Sequence, residues 1–217
     1  MGKATNKMMP QKKAWEIFEE VVALRNKSDS PFTDEMEKTF RAHSQVVAED
    51  AAIIASFIPA MDTQTAYVCG LLHDAGRLND EYIVDENHHF HALTGYSFLK
   101  KRCPEYPQLA QTALLHEVLP NNKVLLENFG YSEKDIEEVF SLSENMAYTD
   151  YDYLIILCDG TNNLGQNCTI EDRYRAIFKR RGLDFASFKE KLEKLNAVKK
   201  KFDTLSGKDI YKILKIY

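Results

Sequence analysis

Glycine and proline are scarce in this chain, 9 and 6 of 217 residues. That leaves little for the turns of an all-β fold and points toward helices. Cysteine is scarce as well. Cys69, Cys103, Cys158 and Cys168 contain no CxxC pair, which argues against a structural zinc site. Their spacing gives no disulfide framework either, in keeping with a reducing compartment. No apolar run is long enough to span a membrane. The polar, basic stretch from Met1 to Lys13 lacks the apolar segment of a signal peptide. The expected location is the cytoplasm, without membrane attachment. Positive charge is not in excess: the net charge is −5, so no global field draws the chain to nucleic acid or anionic lipid. A phosphate ligand needs cations supplied locally, and bound metal ions are one source.

What is present is an ordinary globular composition, 44% hydrophobic and 28% charged. The chain is long enough to bury a core without staples. Nearly every segment has helical period. Trp15, Phe18, Val22 and Arg25 mark a first helix, closed by the polar run from Asn26 to Pro31. Thr33 and Asp34 open a second. Its residues Met36, Phe40, His43, Val47 and Ile54 fall on one face, and Pro59 is read as its end. A third helix begins near Asp62-Thr63 and carries Ala66, Cys69, Gly70 and His73 toward Arg77. After a polar loop, Asn79 to Asn87, helices are expected from about His89 to Lys101 and from Pro107 to Val118, with a break at Pro120-Asn121-Asn122. Ser132 with Asp135 opens another helix, and Thr149 to Cys158 reads as buried. Thr169 with Asp172 starts, and Gly182 stops, the first of the charged C-terminal helices, about 169–217, which break at Ser206-Gly207. With no repeat, low-complexity tract or linker, residues 1–217 read as a single all-helical domain.

The six histidines are informative in their placement. His43 lies on the apolar face of its helix. His73 follows Gly70-Leu71-Leu72, His116 follows Ala113-Leu114-Leu115, and Asp159 follows Leu154-Ile155-Ile156-Leu157-Cys158. Alone, each is an ordinary core residue. Together they are costly, because burying a polar group without a partner costs about 2–7 kcal/mol, and shared coordination of a metal removes the cost. The doublet His73-Asp74 adds weight. Helix neighbours point about 100° apart, so both reach one ion only at a helix end lining a cleft, and Gly76 fits such an end.

These residues follow a known pattern. Arg41-Ala42-His43-Ser44, Cys69 to Arg77 with its His73-Asp74 doublet, His91-Ala92-Leu93-Thr94-Gly95, Leu114-Leu115-His116-Glu117 and Ile156-Leu157-Cys158-Asp159 stand in the order H…HD…H…H…D. In that order the chain resembles the HD-domain superfamily of metal-dependent phosphohydrolases, over about residues 35 to 165. The resemblance implies an all-α helical bundle with extra N- and C-terminal helices. It implies that His43, His73, Asp74 and Asp159 match the ligands of a mononuclear site. His91 and His116 match the two further histidines of dinuclear members, in which Asp74 would bridge the ions. His88 and His89 lie close to His91 and are alternatives to it; His91 is preferred because Gly95, four residues on, allows a helix to approach closely. Arg77 stands where many members carry Lys and would face phosphate.

Imidazole and carboxylate together suit Fe, Mn, Co, Ni or Zn better than Mg or Ca. The implied activity is hydrolysis of a small phosphorylated metabolite, with a nucleotide as the expected substrate, by metal-activated hydroxide. Two alternatives stand beside it: a dinuclear-iron oxygenase on the same fold, and a non-catalytic nucleotide sensor, against which all six filled ligand positions argue. Members that degrade cyclic dinucleotides carry Gly-Tyr-Pro and paired histidines near the fourth motif. Here Gly95-Tyr96 lacks the proline and His116 is followed by Glu117, so cyclic dinucleotides are not expected. The basic residues Lys179, Arg180, Arg181, Lys199, Lys200 and Lys201 read first as a solvated helix face and second as a recruiter of anions. Tyr148, Tyr151 and Tyr153, close to Asp159 in sequence, read first as packing residues and second as a stack for a nucleobase.

Overall fold

The computed structural model describes residues 8–29, 31–77, 90–118, 126–127 and 131–217. Among these residues lie ten α-helices, a 3-10 turn and one short hairpin, so the fold is all-helical. The helices are α1 (Gln11–Arg25), α2 (Asp34–Ala55), α3 (Thr63–Leu72), α4 (His91–Arg102), α5 (Pro107–Leu115), α6 (Glu133–Ser143) and α7 (Asp150–Gly160). The hairpin, β1 (Asn162–Asn163) and β2 (Gln166–Asn167), follows α7. Then come α8 (Ile170–Arg181), a 3-10 turn (Phe185–Phe188), α9 (Lys189–Ser206) and α10 (Ile210–Ile213). The expected loop from Asn79 to Asn87, the histidines His88 and His89, and the break at Pro120-Asn121-Asn122 lie outside the described residues.

The start and stop signals operate as chemistry predicts. Thr33, Asp62, Ser132, Thr149 and Thr169 each accept a hydrogen bond from a backbone N–H of the first turn they precede. Gly182 and Gly207 close α8 and α9 in the left-handed region, φ 64° and 68°. Two ends differ from expectation. Helix α2 stops at Ala55, before Pro59, because a tighter turn closes there: Phe57 N–H donates to the Ile54 carbonyl and the Ser56 hydroxyl to the Ile53 carbonyl. Helix α5 stops at Leu115, so His116 and Glu117 lie at and beyond its end.

Helix α3 is the centre of the packing. It contacts α1, α2, α5 and α7, and from Ala66 to Leu72 every residue but Tyr67 is buried. Its crossing with α2 is set by Gly70. A Cβ there would lie 2.7 Å from the Ala48 Cα and 2.9 Å from the Val47 carbonyl oxygen. Only glycine permits that approach, and it brings the His43 and His73 segments together.

The hairpin was not foreseen. It turns through Leu164 and Gly165 at φ 56° and 85°, the two-residue turn with both φ positive that suits a tight antiparallel pair. It lies on α2: a Cβ on Gly165 would meet Ala42 Cβ at 2.8 Å. Asn167 Nδ2 donates to Asp50 Oδ1 at 3.2 Å, pinning the second strand two turns along α2 from His43. Helices α8 and α9 pack back onto α7. Among the described residues no helix is long and apolar enough to cross a membrane.

Asp50 gives a stability prediction. It is 4% exposed, and burial pushes its carboxyl from about 3.8 up to about 7, against the hydrogen bond from Asn167. The folded state therefore holds this proton more tightly than the unfolded chain, and stability falls as pH rises from about 4 to about 7. Asp50→Asn keeps the shape and removes the buried charge. Melting should show the variant more stable than the parent near pH 8 and similar near pH 4; equal melting temperatures near pH 8 would show that Asp50 does not carry this cost.

Candidate metal centre

The expected residues come from five helices and meet in one place. His43 is in mid-α2. His73 caps the end of α3, Asp74 follows in the turn, His91 opens α4, His116 caps the end of α5, and Asp159 is one residue from the end of α7. Helix ends thus converge on a helix middle. The turn after α3 abuts the start of α4, where a Cβ on Gly76 would fall 1.7 Å from the His91 carbonyl oxygen. Gly95 lies at the same contact, as its expected role in close approach requires; a Cβ there would be 3.0 Å from Gly76 N.

The geometry fixes how the imidazoles face. Gly165 N–H donates to Asn162 Oδ1 at 2.9 Å, so that oxygen accepts, and His43 Nδ1, 2.8 Å away, must donate to it. His73 Nδ1 donates to the Gly70 carbonyl at 2.7 Å and His116 Nδ1 to the Ala113 carbonyl at 2.9 Å. With Nδ1 engaged as the donor, Nε2 of each of these three rings points inward, and it is the atom left to coordinate. The His43 and His73 Nε2 atoms are 3.2 Å apart, and so are those of His91 and His116. For His43 and His73, which both donate from Nδ1, lone pairs set face to face at this distance repel unless a cation lies between them.

Asp74 sits between the two pairs. Its Oδ1 is 3.3 Å from His91 Nε2 and 3.4 Å from His116 Nε2; its Oδ2 is 3.8 Å from His43 Nε2 and 3.7 Å from His73 Nε2. Arg77 Nε donates to Oδ2 at 2.7 Å, whereas buried Oδ1 has no aligned donor. Asp152 shows how this fold treats a structural acid. Also fully buried, it receives donors from Gln108, Gln111, Thr112 and both the N–H and hydroxyl of Thr149. The contrast marks Asp74 Oδ1 as an oxygen kept for something other than a hydrogen bond. Asp159 completes the first pair, its Oδ1 being 3.2 Å from His43 Nε2.

Charge states follow from burial and neighbours. Burial pushes His73 down to about 4, which keeps it neutral and able to coordinate. Burial and the Arg77 guanidinium hold His91 well below the usual imidazole range. Burial pushes Asp74 and Asp159 up, but it is outweighed by Arg77 and His73 at the first, and by the His43 contact and Arg173 at the second. Both remain ionised. The residues fit divalent ions on these grounds. His43, His73 and Asp159, then His73, Asp74 and His116, then His91, His116 and Glu117 are sets that could each hold one.

Several contributors were not picked out from the sequence. Glu117 Oε1 lies 3.7 Å from His91 Nε2. It was read only as a departure from paired histidines, although the doublet logic applied to His73-Asp74 fits His116-Glu117 equally. Tyr131 OH lies 3.5 Å from His91 Nδ1, and Arg173 NH2 3.7 Å from Asp159 Oδ1. Lys191, buried on α9, and Asn162 complete the surroundings. Arg77 is partly buried against Asp74 and His91, not in a solvated turn.

The tyrosines do not belong to the centre. Tyr148 precedes α7 and Tyr151 and Tyr153 occupy its first turn, so at about 1.5 Å per residue Tyr151 stands about 12 Å along the axis from Asp159. Tyr148 stacks on Tyr153 and donates to the Val118 carbonyl, while Tyr151 OH accepts from Asp62 N–H. They pack and anchor; they do not reach a base at the site. In the basic C-terminal stretch, Lys199 pairs with Asp203 and Asp209, Lys201 with Asp150, and Arg180 bonds Asn163.

An all-helical bundle with an inward His/Asp cluster defines the class. The HD domain family model matches residues 40–161, over half the chain, and the chain belongs to that family. Comparisons with curated proteins and with solved structures gave no match.

Asn162, on β1, orients the His43 ring by accepting from its Nδ1, and outer partners of this kind typically carry 10–100-fold in metal affinity. Asn162→Ala should weaken the tighter-bound ion by about that factor in a competition titration with a chelating dye, with helical content unchanged. Unaltered affinity would mean that the hairpin does not set the His43 ring.

Proposed function

We propose that this protein is a metal-dependent phosphohydrolase acting on a small phosphorylated metabolite, with a nucleotide as the first class to test. The observation that carries the reading is the pair of facing imidazole contacts, 3.2 Å each, with the donorless Asp74 Oδ1 between them. With both Nδ1 protons committed, hydrogen bonding between neutral His43 and His73 does not reward their contact, and a divalent cation does.

His43, His73, Asp159 and Asp74 Oδ2 form one group of donors; His91, His116, Glu117 and Asp74 Oδ1 form the other. Fe, Mn, Co, Ni or Zn held there supplies Lewis acidity toward phosphoryl oxygens and a water acidic enough to attack at neutral pH. The chain's own residues do the rest. The carbonyls of Gly70 and Ala113 and the Asn162 amide lock three rings in the tautomer that coordinates. Asp74, ionised and bonded to Arg77, keeps the two groups in register. Arg77, beside His91, meets a phosphoryl oxygen and stabilises charge as it develops. Burial of His73, Asp74 and His91 excludes competing water.

The test is phosphate release. Loaded with Mn²⁺ and assayed without oxygen, the protein should liberate phosphate from a nucleotide or similar phosphoester. Joint replacement of His73 and Asp74 by Ala should abolish release while circular dichroism keeps its helical signal. Turnover only with iron and with oxygen consumed would replace this reading with an oxygenase on the same ligands.

Arg77→Ala should lower kcat/KM by about 10- to 100-fold, since one charge-assisted contact to a phosphoryl group is removed. Unchanged efficiency toward the best phosphoester would confine Arg77 to holding Asp74.

A further inference from the structure

Two more cations reach this centre, and neither comes from the family-matched segment. Arg173 is on α8 and Lys191 on α9, beyond residue 161. Arg173 lies on the inner face of its helix with Ile170, Tyr174 and the turn beyond. Its guanidinium spans the hairpin and the cluster: NH1 donates to Asn163 Oδ1 at 3.4 Å, and NH2 is 3.7 Å from Asp159 Oδ1. Its side chain is 15% exposed, so it is held in place with an outlet to solvent.

Lys191 is the stranger case. It takes the place of an apolar residue on the stripe Lys191, Leu195, Val198, Phe202, and is 7% exposed. Its ammonium stands 5.1 Å over the Tyr174 ring, which stacks on Phe188. Among the described residues it makes no hydrogen bond or ion pair. The groups that act on it are Glu117 and Asp159, which favour its charge, and Arg173, which opposes it; burial outweighs them and lowers its affinity for the proton. A lysine in such a place carries three donors and uses none. The carboxylates that act on it, Glu117 and Asp159, are those of the cluster itself, and the ring it stands over, Tyr174, follows Arg173 on α8.

We propose that Arg173 and Lys191 form the oxyanion-holding wall of the site, binding the phosphoryl oxygens of the substrate that face away from the His/Asp cluster. The proposal rests on the phosphohydrolase reading for its choice of anion, though the wall itself is defined by the two cations. It assigns the C-terminal helices a part in substrate binding. The competing role is structural: Lys191 as a counter-charge to Glu117 and Asp159. A counter-charge would be felt in stability and metal uptake, and a binding wall in anion affinity.

The experiment titrates orthophosphate calorimetrically into the full chain, before and after loading with Mn²⁺, for the parent, Lys191→Met and Arg173→Gln. Metal content and melting temperature are measured on each. Methionine keeps the length of the buried stem, and the two variants lie on different helices, so each reads the wall independently of the other's folding. The expected result is orthophosphate binding by the loaded parent, weakened at least about tenfold in each variant, with metal content unchanged. Unchanged orthophosphate affinity in the loaded variants overturns the proposal, as does a parent that binds no orthophosphate in either form. A parent that takes up no metal sinks the phosphohydrolase reading alone; orthophosphate binding that still depends on Lys191 and Arg173 in that protein sustains the wall.

Discussion

Nitrogen lone pairs aimed at one another across 3.2 Å repel, and His43 and His73 set such a pair in this molecule, with His91 and His116 at the same separation beside it. The surrounding structure supplies what holds them. Gly70 lets α2 and α3 cross in backbone contact, which sets His43 against His73. Gly76 and Gly95 do the same for the turn after α3 and the start of α4, which sets His91 and Asp74 together. Backbone carbonyls of Gly70 and Ala113 take the outer ring protons. A carbonyl three residues back along a helix end is available only where the helix is terminating, which is why His73 and His116 both cap their helices. Packing, helix length and tautomer are thus one constraint: the helices end where the donors are needed.

Much of the helical layout was legible because its signals are local. Thr33, Asp62, Ser132, Thr149 and Thr169 read as starts and serve as starts, since a short polar side chain before an apolar run satisfies first-turn N–H groups wherever it occurs. Pro59 misled because proline forbids continuation without saying how far upstream the helix has already closed. The hairpin hid in Asn162-Asn163-Leu164-Gly165-Gln166-Asn167. Its strands are two residues each and polar, so neither alternation nor β-branched residues announce it. Only the Gly165 turn signalled it, and Leu164 in the left-handed region is an unusual partner for that turn.

The centre was legible where chemistry and periodicity conflict. A histidine or aspartate at the head of an apolar run is an anomaly a sequence can show, and His43, His73, Asp74, His91, His116 and Asp159 do come together. Residues that act through tertiary contact gave less. Asn162 belongs to a hairpin that the sequence hides, and Tyr131, just before the Ser132 start of α6, reaches His91 only through tertiary contact. Lys191 did carry a signal of the same kind as the histidines, a charge on an apolar stripe with Leu195, Val198 and Phe202, which the surrounding run of lysines masked. The tyrosines fill the packing role read first for them, and the second reading, a stack for a base, fails on distance. Proximity to Asp159 along the chain became distance once the intervening residues formed a straight helix.

Charge balance ties the family core to the helices that follow it. The centre holds three carboxylates, Asp74, Glu117 and Asp159, and three side-chain cations border it, Arg77, Arg173 and Lys191. Formally these six charges cancel; burial holds His73 and His91 neutral, while at His116 the Asp74 carboxylate outweighs burial and raises the ring's affinity for the proton. The core alone would present three carboxylates against Arg77, a net of −2 suited to divalent cations and hostile to an anionic substrate. Helices α8 and α9 remove that deficit. On the proposed reading each divalent ion then adds positive charge to a balanced site, so occupancy itself turns the cleft attractive to phosphate. The burial of Lys191 makes sense in those terms: a solvated lysine would be screened over about 10 Å at ordinary ionic strength, whereas an ammonium held over the Tyr174 ring, away from bulk water, exerts a stronger field on its surroundings.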